Sequence, residues 1–401
     1  MKQKRNNRIN FGAVASAHTF VHACSHVHLS LIPVLMIEFQ LTLLATSIIA
    51  TVPYFFQIFG GIFSGMFSDK TGPYNMVAIS LLFSGIGAII AGVASEQWIL
   101  ILSFSLLSLA SSIYHPPAYS ITSKMNKENT GTILGILGST GVFGVAIGPI
   151  TVGLLLTSIG WRSTYLMWSI PILSLAILIL VLRLDKKNRE NSTQINEEKE
   201  IDEEKGSLRN NHDLIAVLAT TSLISMGRIC ATTYFTVYLV VSQGISESTS
   251  IVLVGVMSLA GIISAASGGY FADKYGNKRW LTLIYGIMVI LLLLFTYAKG
   301  IRTITGIAII YGFIRTMDMG ASASLIADVS TDKRRSKAYG MYFLPVYVLG
   351  AFIPILAAYV AEQTDISSVF ILASIFMFLG VIVLQKVSSE KKVKNKNLKE
   401  E

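Results

Sequence analysis

Twelve long apolar runs decide what this chain can fold into. Roughly 20 residues of α-helix, rising 1.5 Å each, cross the ~30 Å hydrocarbon core of a bilayer. Inside a bilayer the backbone must satisfy its own hydrogen bonds, so each run is predicted to be a helix. We number them spans 1 to 12, and they lie near 10–37, 45–68, 73–94, 97–120, 131–158, 162–184, 213–242, 248–272, 279–298, 302–328, 335–361 and 364–387.

The overall composition agrees with a membrane protein. Only 14% of the 401 residues are charged and the mean hydropathy is +0.61, whereas soluble domains average about 25% charged residues. The apolar run from Phe11 to Phe39 is too long for a signal peptide, so we predict that it is retained as span 1. Cys24 and Cys230 lie inside apolar runs and form no disulfide framework or metal-type spacing.

The basic residues indicate the orientation in the membrane. If the N-terminus is cytoplasmic, 27 of the 32 Lys and Arg residues fall in cytoplasmic segments and only Arg162, Lys299 and Arg302 fall outside. Cytoplasmic loops carry such an excess of positive charge. We therefore predict a multi-pass protein of the cytoplasmic membrane with both termini inside. This bias explains the net charge of +9, and no nucleic-acid partner is expected.

One polar segment divides the runs six and six. It mixes charges of both signs (NEEKEIDEEK) and is too polar to bury a core. The predicted organisation is an N-terminal six-helix bundle (1–184), a cytoplasmic linker (185–212), a C-terminal six-helix bundle (213–388) and a basic cytoplasmic tail (389–401). A short helix on the membrane surface remains an alternative for part of the linker.

The two halves carry the same loop motif. The loop after span 2 and the loop after span 8 match at four residues, each displaced by 204 positions: Gly65, Asp69, Lys70 and Gly72 in the first copy, and Gly269, Asp273, Lys274 and Gly276 in the second. Gly135 and Pro149 match Gly340 and Pro354, displaced by 205. Equal spacing over ~90 residues predicts two pseudo-symmetric bundles. Such repeats occur in secondary transporters, whose substrate site lies between the halves near the midplane.

Each residue type in these loops suggests a mechanical role. The first glycines would let two helices approach closely, and the second would allow a sharp turn. The aspartates are placed to accept hydrogen bonds from a helix N-terminus, and the lysines to pair with carboxylates or headgroups. Together they predict a latch at the inner membrane face. An ordinary charged turn is the alternative.

The paired G-x-x-x-D-K-x-G loops, the twelve spans and the central linker resemble the major facilitator superfamily over essentially the whole chain. The resemblance implies a gating role for both loops. That superfamily usually continues the first loop with basic residues. Here the first copy continues Pro73-Tyr74-Asn75 and the second Asn277-Lys278-Arg279, so gating, including Arg279, is better supported in the second copy.

Span 5 carries glycines at short intervals beside a proline: Gly144, Gly148, Pro149 and Gly153. The glycines predict close helix packing, and the proline weakens the helix locally. The pattern is similar to a motif of antiporters in the superfamily, which implies export by proton exchange. The ordinary abundance of Gly and Pro in membrane helices is the alternative.

A narrower resemblance involves spans 1 and 4. Ala17-His18 with His22, and Ser112 followed by Tyr114-His115-Pro116, are similar to the fosmidomycin-resistance branch of exporters. That branch carries an acidic residue where His22 stands here. This departure leaves the proton site and the solute open.

Ionisable residues at membrane depth are costly and mark functional sites. Span 1 presents three histidines on one face, His18, His22 and His26, with His22 near the midplane. Spans 4, 7 and 10 add Tyr114, His115, Arg228, Arg315 and Asp318. In the resembled family spans 1, 4, 7 and 10 line the central cavity, so these residues are expected to meet there.

The expected roles follow from their chemistry. The arginines stay charged and suit a carboxylate or phosphonate; Arg228, with no acidic partner in its own helix, is the foremost candidate. The histidines titrate near neutral pH and can couple proton movement. Asp318 is expected to hold Arg315 when the pocket is empty. The alternatives are interhelical hydrogen bonds for the histidines, a structural Arg315–Asp318 pair, and satisfaction by His115 of carbonyls freed at Pro116.

We therefore expect a secondary active transporter, not an enzyme, whose partners are the bilayer, protons and a small anionic or polar solute. It is expected to act as a monomer without a cofactor. A proton-coupled exporter is the preferred function, and an importer of an organic or phosphorylated anion is the alternative. A His-ligated membrane metalloprotein is an alternative of another class, disfavoured because a metalloenzyme needs more carboxylate or cysteine ligands than the spans offer. No G-x-x-x-x-G-K-[ST] loop supports ATP-driven transport.

Overall fold

The computed structural model describes residues 2–125, 130–182, 212–329 and 335–388. Almost all of the predicted linker and the whole predicted tail lie outside the described residues. Within the described part every regular element is helical, as predicted.

The N-terminal half follows the six predicted spans. Span 1 consists of three consecutive helices, Lys2–Ser25, Val27–Ser30 and Ile32–Glu38. Spans 2 to 6 are Leu43–Thr71, Pro73–Val93, Gln97–Met125, Thr130–Leu155 and Gly160–Val181. The six helices share an apolar core that includes Leu81, Phe104 and Ile172.

The C-terminal half repeats this arrangement. Span 7 is His212–Val237 continued by a π-helical turn, Tyr238–Ser242, and spans 8 and 9 are Glu247–Tyr275 and Asn277–Tyr297. Span 10 consists of two helices, Ile301–Arg315 and Met319–Val329, and spans 11 and 12 are Arg335–Gln363 and Ser368–Gln385. Its apolar core includes stacked Phe295 and Phe370, whose ring centroids are 5.2 Å apart.

Span 1 bends where one continuous helix was expected. The axis turns by 55° between Ile9–Ser30 and Ile32–Glu38. Pro33 at the start of the last helix lacks an N–H and its ring crowds the carbonyl four residues earlier, that of Leu29. The hydroxyl of Thr236 in span 7 lies 3.5 Å from this carbonyl oxygen and donates to it. The bend therefore creates a contact between the two halves.

The backbone confirms the internal repeat. Gly72 and Gly276 have φ values of 93° and 91°, in the region that glycine adopts without strain. Thr42 and Ser246, again 204 positions apart, each accept a hydrogen bond from the N–H three residues later as helix N-caps. Spans 2 and 8 both have 29 residues, and spans 3 and 9 both have 21. Both halves are thus copies of one backbone design.

Length and hydropathy alone do not reproduce the count of twelve. Among the described residues, nine helices are long and apolar enough to cross a membrane, and bent span 1 makes a tenth. The other two predicted spans are the broken pair of span 10 and span 11, of which Tyr347–Gln363 is found as a shorter apolar helix. Span 10 falls short because it is broken into helices of 15 and 11 residues.

The two halves meet along spans 1 and 7, 2 and 11, and 5 and 8. At the end of the bundle away from the described termini, the Leu44 amide donates to Glu362 over 2.8 Å, and the Ser248 hydroxyl donates to the Gly153 carbonyl over 2.6 Å. The bond at Leu29 also joins the halves. The structure is therefore closed at the end opposite its termini.

The glycines of span 5 allow this close packing, as their spacing predicted. A Cβ at Gly148 would overlap the Ala23 carbonyl of span 1, and one at Gly144 would overlap the Thr19 carbonyl. A Cβ at Gly153 would lie 2.8 Å from the Ser248 carbonyl of span 8. Span 5 thus lies against span 1 and against the other half at once. Small residues permit such backbone contact, which stabilises helix association in lipid.

We expect Gly148→Ala to destabilise the protein, because the added methyl group meets a backbone carbonyl that cannot move away alone. Overpacking of this kind costs about 1–3 kcal/mol. The matched control is Gly138→Ala in the same helix, where a Cβ meets nothing within 4 Å. Thermal unfolding in detergent should give a lower Tm for Gly148→Ala only. Equal Tm values for the two variants would contradict the packing role.

Candidate solute and proton site

The histidine face of span 1 meets span 4 inside the N-terminal half. The ring centroids of His18 and His22 are 4.8 Å apart, and His115 of span 4 lies 5.4 Å from His18 and 5.3 Å from His22. His26 stacks on His22 at 5.2 Å with nearly parallel rings. The predicted shared face is therefore present, and we call His18, His22, His26 and His115 the histidine cluster. His28 lies apart from it, against Phe104.

His18 is the most firmly held member of the cluster. Its Nδ1 lies 2.7 Å from the carbonyl oxygen of Leu137 in span 5, and because a carbonyl only accepts, Nδ1 carries the proton. Tyr114 stacks on the ring at 4.9 Å and donates its own hydroxyl to the Val14 carbonyl over 2.8 Å. Gly141 leaves room for the ring, which a Cβ there would overlap. The Nε2 lone pair of His18 thus has a set direction.

His22 and His115 lack such partners. The Nδ1 atom of each is buried without a hydrogen bond from the described residues. Pro116 and Pro117 free two carbonyls, those of Ser112 and Ile113, and the second has a donor from another span. Pro117 frees the carbonyl of Ile113, and the Ser64 hydroxyl of span 2 donates to it over 2.8 Å.

The C-terminal half contributes an ion pair across two spans. Arg228 of span 7 and Asp318 of span 10 approach to 2.5 Å. Asp318 is 4% exposed and also accepts a hydrogen bond of 3.0 Å from Tyr285 of span 9. Tyr285 is in turn 3.1 Å from the Ser322 hydroxyl. Asp318 is therefore held from two neighbouring spans.

The expected pairing of Asp318 with Arg315 is wrong. It assumed one helix in which residues three apart are neighbours, but span 10 breaks at Thr316–Asp318. Asp318 leaves the helical face of Arg315 and turns to Arg228. Arg228 had been singled out because its own helix holds no carboxylate, and span 10 supplies one.

Arg315 is instead the cation without a carboxylate. Within the described part of the chain no acidic oxygen lies at ion-pair distance from it. It lies within electrostatic range of Tyr311, Arg228 and Asp318, and of His26 in the other half. Arg228 and Arg315 thus lie near a single carboxylate, which is paired with Arg228. The region between the halves carries positive charge.

Other polar residues at this level were missed by sequence reasoning. Tyr54, Gln57 and Ser108 line a cavity of about 10 Å³ beside His26 and His28, room for about one water molecule. Tyr285, the partner of Asp318, lies in an apolar run where a tyrosine is ordinary. Estimating depth for hydroxyl groups as well as for charged residues would have placed it near Asp318.

The predicted latch is not formed in this structure. Asp273 and Lys274 are exposed, and neither has an ion pair or hydrogen bond among the described residues; Lys274 lies over the Tyr275 ring at 5.3 Å. Arg279 is also exposed. Of the first loop, Gly65 and the side chain of Asp69 lie outside the described part, and Lys70 is exposed.

Gly269 lies close to span 10, since a Cβ on Gly320 would lie 3.6 Å from the Gly269 Cα. A Cβ on Gly269 itself would meet nothing within 4 Å, whereas one on neighbouring Gly268 would overlap the Met317 carbonyl. Met317 lies in the break of span 10, so the tight contact is made with the unwound segment. The turn glycines, Gly72 and Gly276, behave as predicted.

We expect the Arg228–Asp318 pair to be strongly coupled in stability. Arg228→Met alone leaves a buried carboxylate unpaired, which costs roughly 3–5 kcal/mol, and Asp318→Asn alone leaves an unpaired cation. The double variant removes both charges, so it should lose much less stability than the sum of the single losses. Thermal unfolding of all four proteins measures this coupling. Additive losses would show that the pair contributes no coupling.

Comparison with known proteins agrees with the geometry. The sequence model of the Major Facilitator Superfamily matches residues 14–317 and 268–401. Multidrug resistance protein MdtG of Proteus mirabilis is 22% identical over 342 residues, which cover 84% of each chain. MdtG of Escherichia fergusonii is 24% identical over 251 residues, 61% of each chain.

A solved structure shares the fold. A bacterial homolog of the human lysosomal transporter Spinster, in an inward-facing and unoccupied conformation, aligns with a TM-score of 0.78 over 94% of this chain and 96% of its own, at 13% identity. The family match covers nearly the whole chain, and the helical bundles, the repeat and the polar midplane are those of a transporter. The chain therefore belongs to the Major Facilitator Superfamily.

Proposed function

We propose that this protein is a secondary active exporter that exchanges protons for a small polar solute across the cytoplasmic membrane. The curated relatives named above are called multidrug resistance proteins, which supports outward transport of a foreign small molecule. The Arg228–Asp318 pair carries the proposal, because it is a buried, protonatable group between spans that must move during transport.

Proton exchange imposes a requirement on the site. In an exchanger, the proton and the solute must exclude each other, so that each crosses the membrane in turn. Ionised Asp318 meets this requirement for a solute that offers a cationic or hydrogen-bond-donating group, because protonation removes the charge that such a group binds. The groups that face Asp318 are Arg228 from span 7, Tyr285 from span 9, and Arg315 and Tyr311 from its own span.

With an anionic solute, binding of the solute would favour binding of the proton instead of excluding it. An anion bound to Arg228 displaces the Asp318 carboxylate and thereby favours its protonation, so that solute and proton travel together. Such a site supports the second candidate, proton-coupled uptake of an organic or phosphorylated anion. Arg315 favours this candidate, since it is a cation without a carboxylate partner among the described residues.

The closed end of the structure suits export. The proposal places both termini in the cytoplasm, as the distribution of basic residues predicts. The hydrogen bonds at Leu44 and Ser248 then seal the outer face, and solute reaches the site from the cytoplasm. Release outside requires these bonds to break and the inner loops to close.

We expect Asp318→Asn to lose proton-driven transport and keep downhill transport, because Asn holds a hydrogen bond but cannot change charge. The probe is ethidium in everted vesicles with an acidified lumen, where an exporter accumulates the dye. The matched control is Asp365→Asn, in the exposed turn between spans 11 and 12. Accumulation by Asp318→Asn at the wild-type rate would remove Asp318 from coupling.

Vesicles of two orientations separate export from anion uptake. Carboxyfluorescein, an anion, serves as the second probe in right-side-out vesicles with an acidic exterior. Accumulation of carboxyfluorescein there, with no ethidium accumulation in everted vesicles, would overturn export in favour of anion uptake.

For the loops we expect Asp273→Asn to slow transport more than Asp69→Asn. The second loop keeps the basic residues Lys278 and Arg279 that can pair with a neighbouring helix when the inner face closes, whereas the first continues Pro73-Tyr74-Asn75. Rates are compared at matched amounts of protein in the membrane. An equal or reversed order would mean that gating does not depend on those basic residues.

A further inference from the structure

We propose that His18, His22 and His115 bind a divalent transition-metal ion of the zinc, cobalt and nickel class. This inference goes beyond the proposed exporter function and does not depend on it. It rests on four features of the N-terminal half: the convergence of three rings, the fixed tautomer of one, the unsatisfied nitrogens of the other two, and the absence of competing donors among the described residues.

The convergence has the dimensions of a preformed site. One nitrogen atom from each of the three rings lies within 4.8 Å of the other two. In a tetrahedral site with metal–nitrogen bonds of 2.0–2.1 Å, ligand nitrogens are about 3.3 Å apart. Contraction by about 1.5 Å or less is therefore enough, and side-chain rotation in spans 1 and 4 can supply it.

His18 is oriented as a metal-binding histidine is. Such residues nearly always donate their second ring N–H to a carbonyl or carboxylate, which fixes the tautomer and turns the other nitrogen toward the metal. Here Nδ1 donates to the Leu137 carbonyl at 2.7 Å, and stacking on Tyr114 fixes the ring plane. Only Nε2 remains for a ligand. A histidine with only a structural role would be stabilised by this hydrogen bond and would not need two further histidines beside it.

His22 and His115 supply what a bound ion needs. Both have a buried Nδ1 without a hydrogen-bond partner in the described residues, and His22 is only 9% exposed. A buried polar atom left unsatisfied costs ~1–3 kcal/mol. Coordination of an ion through these nitrogens would remove that cost.

The chemistry of the donors selects the ion. Three neutral imidazoles suit zinc, nickel, cobalt and copper, while magnesium and calcium require oxygen ligands. Within the described residues the group of three contains no carboxylate, so it cannot serve a hard cation. Arg315 lies near His26 and repels a positive ion from that side, which places the ion toward His18 and His115.

The test measures binding without transport. The protein is purified through a tag that contains no histidine and titrated with ZnCl₂ by calorimetry, while CoCl₂ is used to record the visible absorption of tetrahedral cobalt. We expect one ion per chain in the wild type. His22→Gln and His115→Gln should weaken binding at least tenfold, in the range seen when metal sites are perturbed, and zinc should raise the Tm of the wild type but not of these two variants.

The matched control is His28→Gln. His28 lies on the same span and is also buried with an unsatisfied Nδ1, but it packs on Phe104 outside the group of three. It should bind zinc as the wild type does. The Tm without metal checks that each variant is folded, and His22→Gln and His115→Gln provide two independent readings.

Three results would overturn the proposal: no saturable binding in the wild type, a stoichiometry far from one ion, or equal weakening by His28→Gln and His22→Gln. Each of these results would leave the histidine cluster with a purely structural role. None would affect the exporter proposal, which is tested separately with ethidium and Asp318→Asn. Conversely, a failure to transport ethidium would not count against metal binding, which the titration measures independently.

Discussion

A carbonyl without a donor inside a bilayer costs several kcal/mol, and prolines free such carbonyls in the helices of this chain. Two of these carbonyls accept a hydrogen bond from another span. Thr236 donates to the carbonyl freed by Pro33, and Ser64 donates to the one freed by Pro117. The first bond joins the two halves and the second holds span 4 at the level of the histidine cluster. The site therefore depends on how the backbone is satisfied where helices are interrupted.

The break in span 10 has the same consequence without a proline. Gly268 lets span 8 approach the Met317 carbonyl, and the Thr316 hydroxyl donates to the Gly261 carbonyl of span 8 over 2.8 Å. The unwound segment is thereby held by a neighbouring helix. Asp318, at the end of that segment, leaves the face of Arg315 and reaches Arg228. The break in span 10 thus decides that Asp318 pairs with Arg228 and not with Arg315.

The two halves share one backbone arrangement but carry different side chains at equivalent positions. Tyr114 and Asp318 occupy equivalent positions, 204 residues apart, and each ties its span to the first span of its half: Tyr114 through the Val14 carbonyl and Asp318 through Arg228. The N-terminal half fills its share of the midplane with imidazoles, and the C-terminal half with an ion pair and a second cation. Two copies of one scaffold thereby carry different ionisable groups.

Much of this could be read from the sequence, because it depends on local chemistry. Apolar runs must become helices in lipid, Gly72 and Gly276 must turn, the glycines of span 5 must pack closely, and histidines four residues apart must share a face. The partners of ionisable groups could not be read in this way. Asp318 has Arg315 three residues away in sequence and Arg228 ninety residues away, and only the break in span 10 decides between them. Contacts between spans depend on where helices bend and where they approach one another, and the hydropathy of the sequence shows neither.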